Sequence, residues 1–303
     1  MTVTPQLSEE VEAALRHGRP VVALETTLVS HGFPGAQGVQ VALAAEARVR
    51  RAGAVPATIG IMDGAVRAGL TPAELERFAS AGPEARKAGP RDLAACVVQS
   101  ALGATTVGGT LAVCRLAGIA FMATGGTGGV HRRFAESLDI SADLPQIART
   151  RALVVSSGVK SILDVPATAE LLETLGVPVL GWRTGTLPLF YGAAGGPPVS
   201  AVVTAAKEAA LIIAAHWQLN GSTGVLLARP PEPSLEIEPV IAEAVARVES
   251  QGVRGQSVTP AVLALVHELT GGRSAEVNRQ LIEDNAGLAA EVAVAYSAAA
   301  ADG

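Results

Sequence analysis

Unbroken runs of aliphatic residues recur along the chain, separated by longer stretches with helical character. The runs fall at residues 20–24, 57–61, 104–107, 119–123, 152–156, 178–181 and 224–228. Several lack the in-out alternation of a half-exposed strand, as strands buried on both faces do. Strands and helices in turn predict an α/β fold: a largely parallel central sheet with helices on both faces, in α/β/α layers. Thr71-Pro72-Ala73-Glu74 marks one helix start, with an N-cap Thr, Pro at the first helical position and Glu where a capping box needs it. Gly53 and Gly176 each close a helical stretch just before a Val-Pro pair, which suits a left-handed cap feeding the next strand. After Thr259-Pro260 two helices are predicted, parted by Gly271-Gly272, the second running from about Ser274 to the Ala-rich end. The Gly/Pro-rich segments 184–198 and 229–239 are the linker candidates. Neither is a long polar tether, and no repeat is present, so a single domain over residues 1–303 is expected.

Composition narrows the class. Of 303 residues, 49% are hydrophobic and 17% charged, enough apolar surface to offset chain entropy. The formal charge is -5 and no segment gathers the basic cluster that a phosphate backbone requires, so nucleic acid is not an expected partner. Cys96 and Cys114 lie in apolar stretches without a second Cys or His at metal-ligand spacing, and read as buried reduced thiols of a cytoplasmic protein. Residues 1–10 lack a basic region ahead of an apolar run, so no signal peptide is expected. Residues 93–114 carry no charge and are long enough to span a bilayer, but Gln99, Ser100, Gly103, Thr105 and Thr106 make them core rather than membrane.

In open parallel sheets, ligands bind beyond the carboxyl ends of the strands. The polar residues in those places are Glu25-Thr26-Thr27, Thr124 with the run Gly125-Gly126-Thr127-Gly128-Gly129, and Ser157-Gly158-Val159-Lys160-Ser161. A glycine run gives backbone amides access to a phosphate, and serves equally as a tight strand-to-helix turn. It fits neither the dinucleotide fingerprint, because His131 stands in the sixth position from Gly126, nor a Walker loop. Partial burial of Lys160 behind a strand would favour a neutral, nucleophilic amine suited to Schiff-base chemistry; an ordinary solvated lysine is the plain alternative. Glu25 is a candidate general acid if burial raises its pKa, with a helix-capping or ion-paired carboxylate as the plain alternative. Asp139-Ile140-Ser141-Ala142-Asp143 sets oxygen groups two residues apart, as hard-cation or phosphate ligands, or as helix caps. Lys87, Arg91 and Asp92 read by default as a solvated turn. Asn278 and Asn285 share a helix face seven residues apart, where a core hydrogen bond suffices to explain them. Ser30 and His31 are neighbours in sequence and are not expected to face each other as a catalytic pair.

Taken together the segments resemble the pseudouridine-5′-phosphate glycosidase family over nearly the whole chain. The match rests on Val-Ala-Leu-Glu-Thr-Thr-Leu-Val-Ser-His-Gly (22–32), Gly-Ala-Val-Pro-Ala-Thr-Ile (53–59), Arg91-Asp92-Leu93 and Gly-Ala-Thr-Thr-Val (103–107). It continues in Ala-Thr-Gly-Gly-Thr-Gly-Gly-Val-His-Arg (123–132), Asp-Ile-Ser-Ala-Asp-Leu (139–144), Gly158 with Lys-Ser-Ile-Leu-Asp (160–164) and Leu-Thr-Gly-Gly (269–272). The resemblance implies reversible cleavage of the C–C glycosidic bond of pseudouridine 5′-phosphate to uracil and ribose 5-phosphate, in nucleotide catabolism. It implies Lys160 as nucleophile at C1′ of the opened sugar, Glu25 as proton donor and Asp139 as ligand of one divalent metal per subunit, manganese. Substrate contacts implied are Lys87, Val107, Thr124, His131, Ser141, Ala142, Asp143 and Asn285, and the implied assembly is a homotrimer. The chain departs from the family pattern at Ser156-Ser157-Gly158-Val159, where small Ala or Gly residues are commoner, and at residues 184–198. A lysine-dependent aldolase and a non-catalytic phosphosugar-binding module are the competing readings.

Overall fold

The structure is a computed structural model and describes residues 3–221, 223–253 and 258–301. Among these residues the centre is an 11-stranded sheet. Its main path runs Gln6–Leu7, Ala65–Ala68, Val55–Met62, Val21–Glu25, Phe121–Ala123, Leu153–Ser156, Val225–Ala228, Val179–Trp182 and Ala201–Val203. From Val55–Met62 to Ala201–Val203 every pairing on this path is parallel. The antiparallel pairings lie at one side, where Ala65–Ala68 and Gly103–Thr105 flank Val55–Met62 and Arg86–Ala88 adds to Gly103–Thr105 in parallel. All seven expected strands are present. That at 104–107 is shorter than expected, since Val107 already begins the helix Val107–Ala117.

The central strands Val21–Glu25, Val55–Met62, Leu153–Ser156 and Val225–Ala228 are buried along their whole length, which is why their sequences do not alternate. Helices cover the sheet, the longest being Arg273–Ala301, which packs on Gln37–Arg51 and Ala206–Asn220 and on the strands beneath. Thr71 and Glu74 form the expected capping box at the start of the helix Pro72–Ala81. Gly53 and Gly176 have φ of +90° and +68°, as left-handed caps require. The C-terminal pair is Val258–Leu269 and Arg273–Ala301, parted at Gly271-Gly272 as expected. No helix among the described residues is long and apolar enough to cross a membrane, and residues 93–114 divide into helix, strand and helix.

Two expectations are corrected. The segment 184–198 is no linker: it folds back on itself through Leu187 N–H to Pro197 O (2.8 Å), and Phe190 N–H donates to Ser157 O (3.0 Å). Lys87 is not in a solvated turn but in the strand Arg86–Ala88, packed toward the interior.

Candidate active site

Three adjacent strands end together. Leu24 is paired with Ala123 and Ala123 with Val155, so Glu25, Thr124 and Ser156 emerge side by side at the carboxyl edge. Sequence order could not show this adjacency, because about a hundred residues separate Glu25 from Thr124.

The glycine-rich turn and the lysine turn are zipped to each other. Thr127 N–H donates to Gly158 O (3.0 Å), Lys160 N–H donates to Thr127 O (3.1 Å), and Ser157 N–H donates to Gly125 O (2.9 Å). The short strands Val130–His131 and Leu163–Asp164 then pair antiparallel and continue the zipper. The glycines are required by packing. A Cβ on Gly126 would lie 2.5 Å from the Phe190 ring, and one on Gly128 would lie 2.1 Å from Ser141 Oγ. The amides of Thr124, Thr127, Gly128 and Val130 are bonded to protein acceptors, so the turn shapes the site more than it offers an open phosphate cradle.

Asp143 explains much of that rigidity. Its Oδ1 accepts from Gly108 N–H (2.7 Å) and its Oδ2 from Gly128 N–H (2.9 Å), tying the helix Val107–Ala117 to the glycine turn. Both carboxylate oxygens are thereby engaged in holding backbone. Asn285, fully buried, does similar work from the C-terminal helix: its amide nitrogen donates to Thr124 O (2.9 Å) and lies 3.2 Å from Ser157 Oγ. The serine at position 157, a departure from the family pattern, thus has a partner.

These elements enclose a cavity of about 910 Å³. Its walls include Glu25, Lys87, Thr124, His131, Asp139, Ser141, Ala142, Asp143 and Lys160. Val107 and Asn285 stand outside the lining, Val107 with its side chain buried at the helix start and Asn285 beneath the glycine turn. Sequence reasoning gave no ligand role to Asn278, His31, Thr106 or Phe190, which do line the cavity. Asn278 lies close to Gly125, where a Cβ would come 3.3 Å from its Oδ1. Its signal in the sequence was a polar residue in mid-helix, which a core hydrogen bond explained equally well.

Charge within the cavity is paired off by environment. Glu25 is buried and donated to by Thr124 Oγ1 at 2.5 Å. Burial raises its carboxyl above the ordinary range; Lys160, the Thr124 hydrogen bond and Lys87 pull the other way, and Asp143 adds to the rise. Lys87 is held below the usual lysine range, first by burial and then by the charge of Lys160, against the pull of Asp143, Glu25 and Asp139. His131 Nδ1 lies 3.8 Å from Asp139 Oδ2. Its imidazole is lowered by burial more than Asp139 raises it. Among the described residues no three or more His, Cys, Asp or Glu side chains group as a metal site. A proton-holding carboxyl beside an amine in a shaped cavity is suited to addition at a sugar carbon with protonation of a leaving group.

Comparison with known proteins places this architecture. The family model described as indigoidine synthase A like protein matches residues 10–295. A pseudouridine-5′-phosphate glycosidase of Chloroflexus aurantiacus is 48% identical over 96% of this chain and 98% of its own. That of Escherichia coli is 45% identical over 96% and 95%. The chain belongs to this glycosidase family. Its fold matches the crystal structure of the prealnumycin C-glycosynthase AlnA in complex with ribulose 5-phosphate, with a TM-score of 0.90 at 40% identity over 100% of both chains. An indigoidine synthase A-like protein from Thermotoga maritima gives 0.88 at 35% identity over 97% of each. Membership in the glycosidase family agrees with the resemblance carried by the motifs at 22–32, 123–132 and 160–164. Those three motifs supply Glu25, the glycine turn and Lys160 to one edge of the sheet.

Proposed function

We propose that this chain reversibly cleaves the C–C glycosidic bond of pseudouridine 5′-phosphate to uracil and ribose 5-phosphate, in the degradative direction in the cell. The observation that carries the reading is the convergence on one cavity of buried Glu25 at a strand end, Lys160 in the turn after Leu153–Ser156 and Lys87 from the strand Arg86–Ala88. A C–C bond offers no leaving oxygen for a carboxylate pair to protonate, so a different path for the electrons is needed. The sugar ring opens at the C1′–O4′ bond, whose electron pair stays on O4′ and takes up a proton, and the Lys160 amine bonds C1′ in its place and loses a proton. Its nitrogen lone pair then drives cleavage of the C1′–base bond, and the bonding pair stays on the base carbon, which takes the proton from Glu25. Uracil departs, and water hydrolyses the remaining imine to ribose 5-phosphate and free Lys160.

Lys87 faces the same space and supplies positive charge toward the phosphate. Ser141, Ala142 and His131 line the same cavity, and Thr124 donates to the Glu25 carboxyl. Val107, the first residue of its helix, would meet substrate through its backbone amide, since its side chain is buried. Asn285 supports the site from beneath the glycine turn. The donor set suits a largely hydrated divalent ion such as manganese: Asp139 faces the cavity with His131 beside it, and Asp143 is already engaged by two amides. When bound there, one ion per subunit would orient waters and polar substrate groups. The cytoplasm is the proposed location and a homotrimer the proposed assembly; a solution mass three times that of the chain would bear out the trimer.

Purified protein should release uracil and ribose 5-phosphate from pseudouridine 5′-phosphate, and Lys160→Ala should abolish release while leaving the circular dichroism spectrum unchanged. Borohydride reduction during turnover should fix the sugar to Lys160. Sugar attached to another lysine, or full activity in the alanine variant, would overturn the covalent path. An unmutated protein that acts on the nucleotide only with another acceptor base would move the reading toward glycoside synthesis.

A further inference from the structure

His31 has no part in the mechanism above, yet it lines the same cavity. It belongs to a π-helical turn, Leu28–Gly32, that leaves the strand carrying Glu25. Such turns are rare and recur at functional sites. This one is held tightly: a Cβ on Gly38 of the next helix would fall 2.3 Å from Val29 O, and Ser30 Oγ is turned away to donate to Phe78 O at 3.0 Å. His31 Nε2 lies 3.1 Å from Ala85 O. A carbonyl only accepts, so Nε2 carries the hydrogen and the tautomer is fixed. Burial, and then the nearby Lys87 charge, hold the ring below the usual imidazole range and so neutral. Nδ1 is therefore left with a bare lone pair, unsealed and without a protein donor among the described residues. Of the two buried carboxylates in the cavity wall, Asp143 has both oxygens engaged and Glu25 one.

We propose that His31 is a further substrate-contacting residue, whose Nδ1 accepts a hydrogen bond from an uncharged donor of the bound nucleotide, either a ring N–H of the base or a sugar hydroxyl. The proposal rests on the glycosidase reading. Its chemistry fits a C-linked base, which keeps N–H groups at both ring nitrogens because neither carries the sugar. The phosphate is drawn to the charges of Lys87 and Lys160, and the neutral His31 lone pair would repel it.

The test uses two isosteric variants in the Lys160→Ala background, where turnover is blocked and binding is read by calorimetry. His31→Gln keeps a donor near the Nε2 position for Ala85 O and removes the Nδ1 acceptor. His31→Asn places an amide oxygen near the Nδ1 position. The glutamine variant should bind pseudouridine 5′-phosphate about tenfold more weakly, the loss of a hydrogen bond in a partly buried site, with inorganic phosphate unaffected. The asparagine variant should recover most of the loss. If ribose 5-phosphate weakens in parallel, the donor is a sugar hydroxyl; if it does not, the donor is on the base. Nucleotide affinity within twofold of the parent in the glutamine variant would overturn the proposal, as would an equal loss for inorganic phosphate. The glycosidase reading is tested separately, by uracil release from the protein with Lys160 and His31 both intact.

Discussion

Glu25 shows how far one side chain's chemistry depends on what surrounds it. As a residue past an apolar strand it has two readings, acid catalyst or helix cap. Its burial raises the carboxyl above the ordinary range, and the bond donated by Thr124 offsets part of that rise. Because the carboxyl is raised above the usual range, the competent protonated form persists above the pH at which an exposed glutamate loses its proton. Activity should then fall on the alkaline side as Glu25 ionises. Thr124→Val removes the bond that favours the carboxylate, so that alkaline limb should move to higher pH, read from kcat/KM profiles. Glu25→Gln should lower kcat by at least about a hundredfold and erase the limb, the usual scale for a general acid. His131 and Asp139, neighbours at 3.8 Å, were each visible as residue types in the sequence, but not as a pair.

At the scale of elements, the C-terminal helix Arg273–Ala301 carries both asparagines, and its Asp284 bridges the helix Gln37–Arg51 and the residue after the strand Val225–Ala228. Asp284 Oδ1 meets Arg48 at 2.5 Å and its Oδ2 meets Arg229 at 3.3 Å, with Asp284 only 10% exposed. Without Asp284, the largely buried Arg229 would keep only Glu232 at 3.7 Å and the more exposed Arg48 would lose this partner. Asp284→Ala should destabilise the fold by about 1–2 kcal/mol in urea denaturation. It should also lower kcat/KM, because Asn285 on the next position holds Thr124 and Gly125. A helix that stayed docked would keep both quantities unchanged. The helix itself was legible from Gly271-Gly272 and its Ala-rich end. The short strands Arg86–Ala88 and Ala201–Val203 were not, because three residues give no periodicity and edge strands take their identity from the partner they find. Lys87 was misplaced for that reason: only its pairing with Ala104 turns it inward.

At the scale of the whole molecule, folding hides three imidazoles from protons. Burial lowers His267, and likewise His31 and His131, below the usual value of about 6.5. The unfolded chain therefore takes up protons first as pH falls, so their contribution is full above about 6.5 and is lost downward through the lowered folded values. Glu25 and Glu46 act oppositely, since their raised carboxyls bind protons earlier in the folded state, so the net Tm curve mixes both signs. A difference isolates one group. His267, with Nδ1 2.6 Å from Ser274 Oγ, is outside the cavity lining. His267→Gln should gain in Tm relative to the parent as pH drops from 7 to 5, roughly the span below its unfolded pKa; a constant difference would show that His267 is not protonated on unfolding.

What the chain alone determined follows from local physics. Unbroken aliphatic runs specify buried strands, Thr71-Pro72-Ala73-Glu74 specifies a helix start, and polar residues after strands specify which side chains are available at a carboxyl edge. Family motifs then attach expected roles to Glu25 and Lys160. The tertiary structure alone decided which edges adjoin. Strand order puts residues 25, 124 and 156 in one row, and only that order makes Thr124 the partner of Glu25. It likewise gave Asp143 and Asn285 their backbone partners, and it brought His31 and Asn278 to the cavity wall. Hydrogen-bond partners and burial are properties of the space between distant segments, and no local pattern encodes that space.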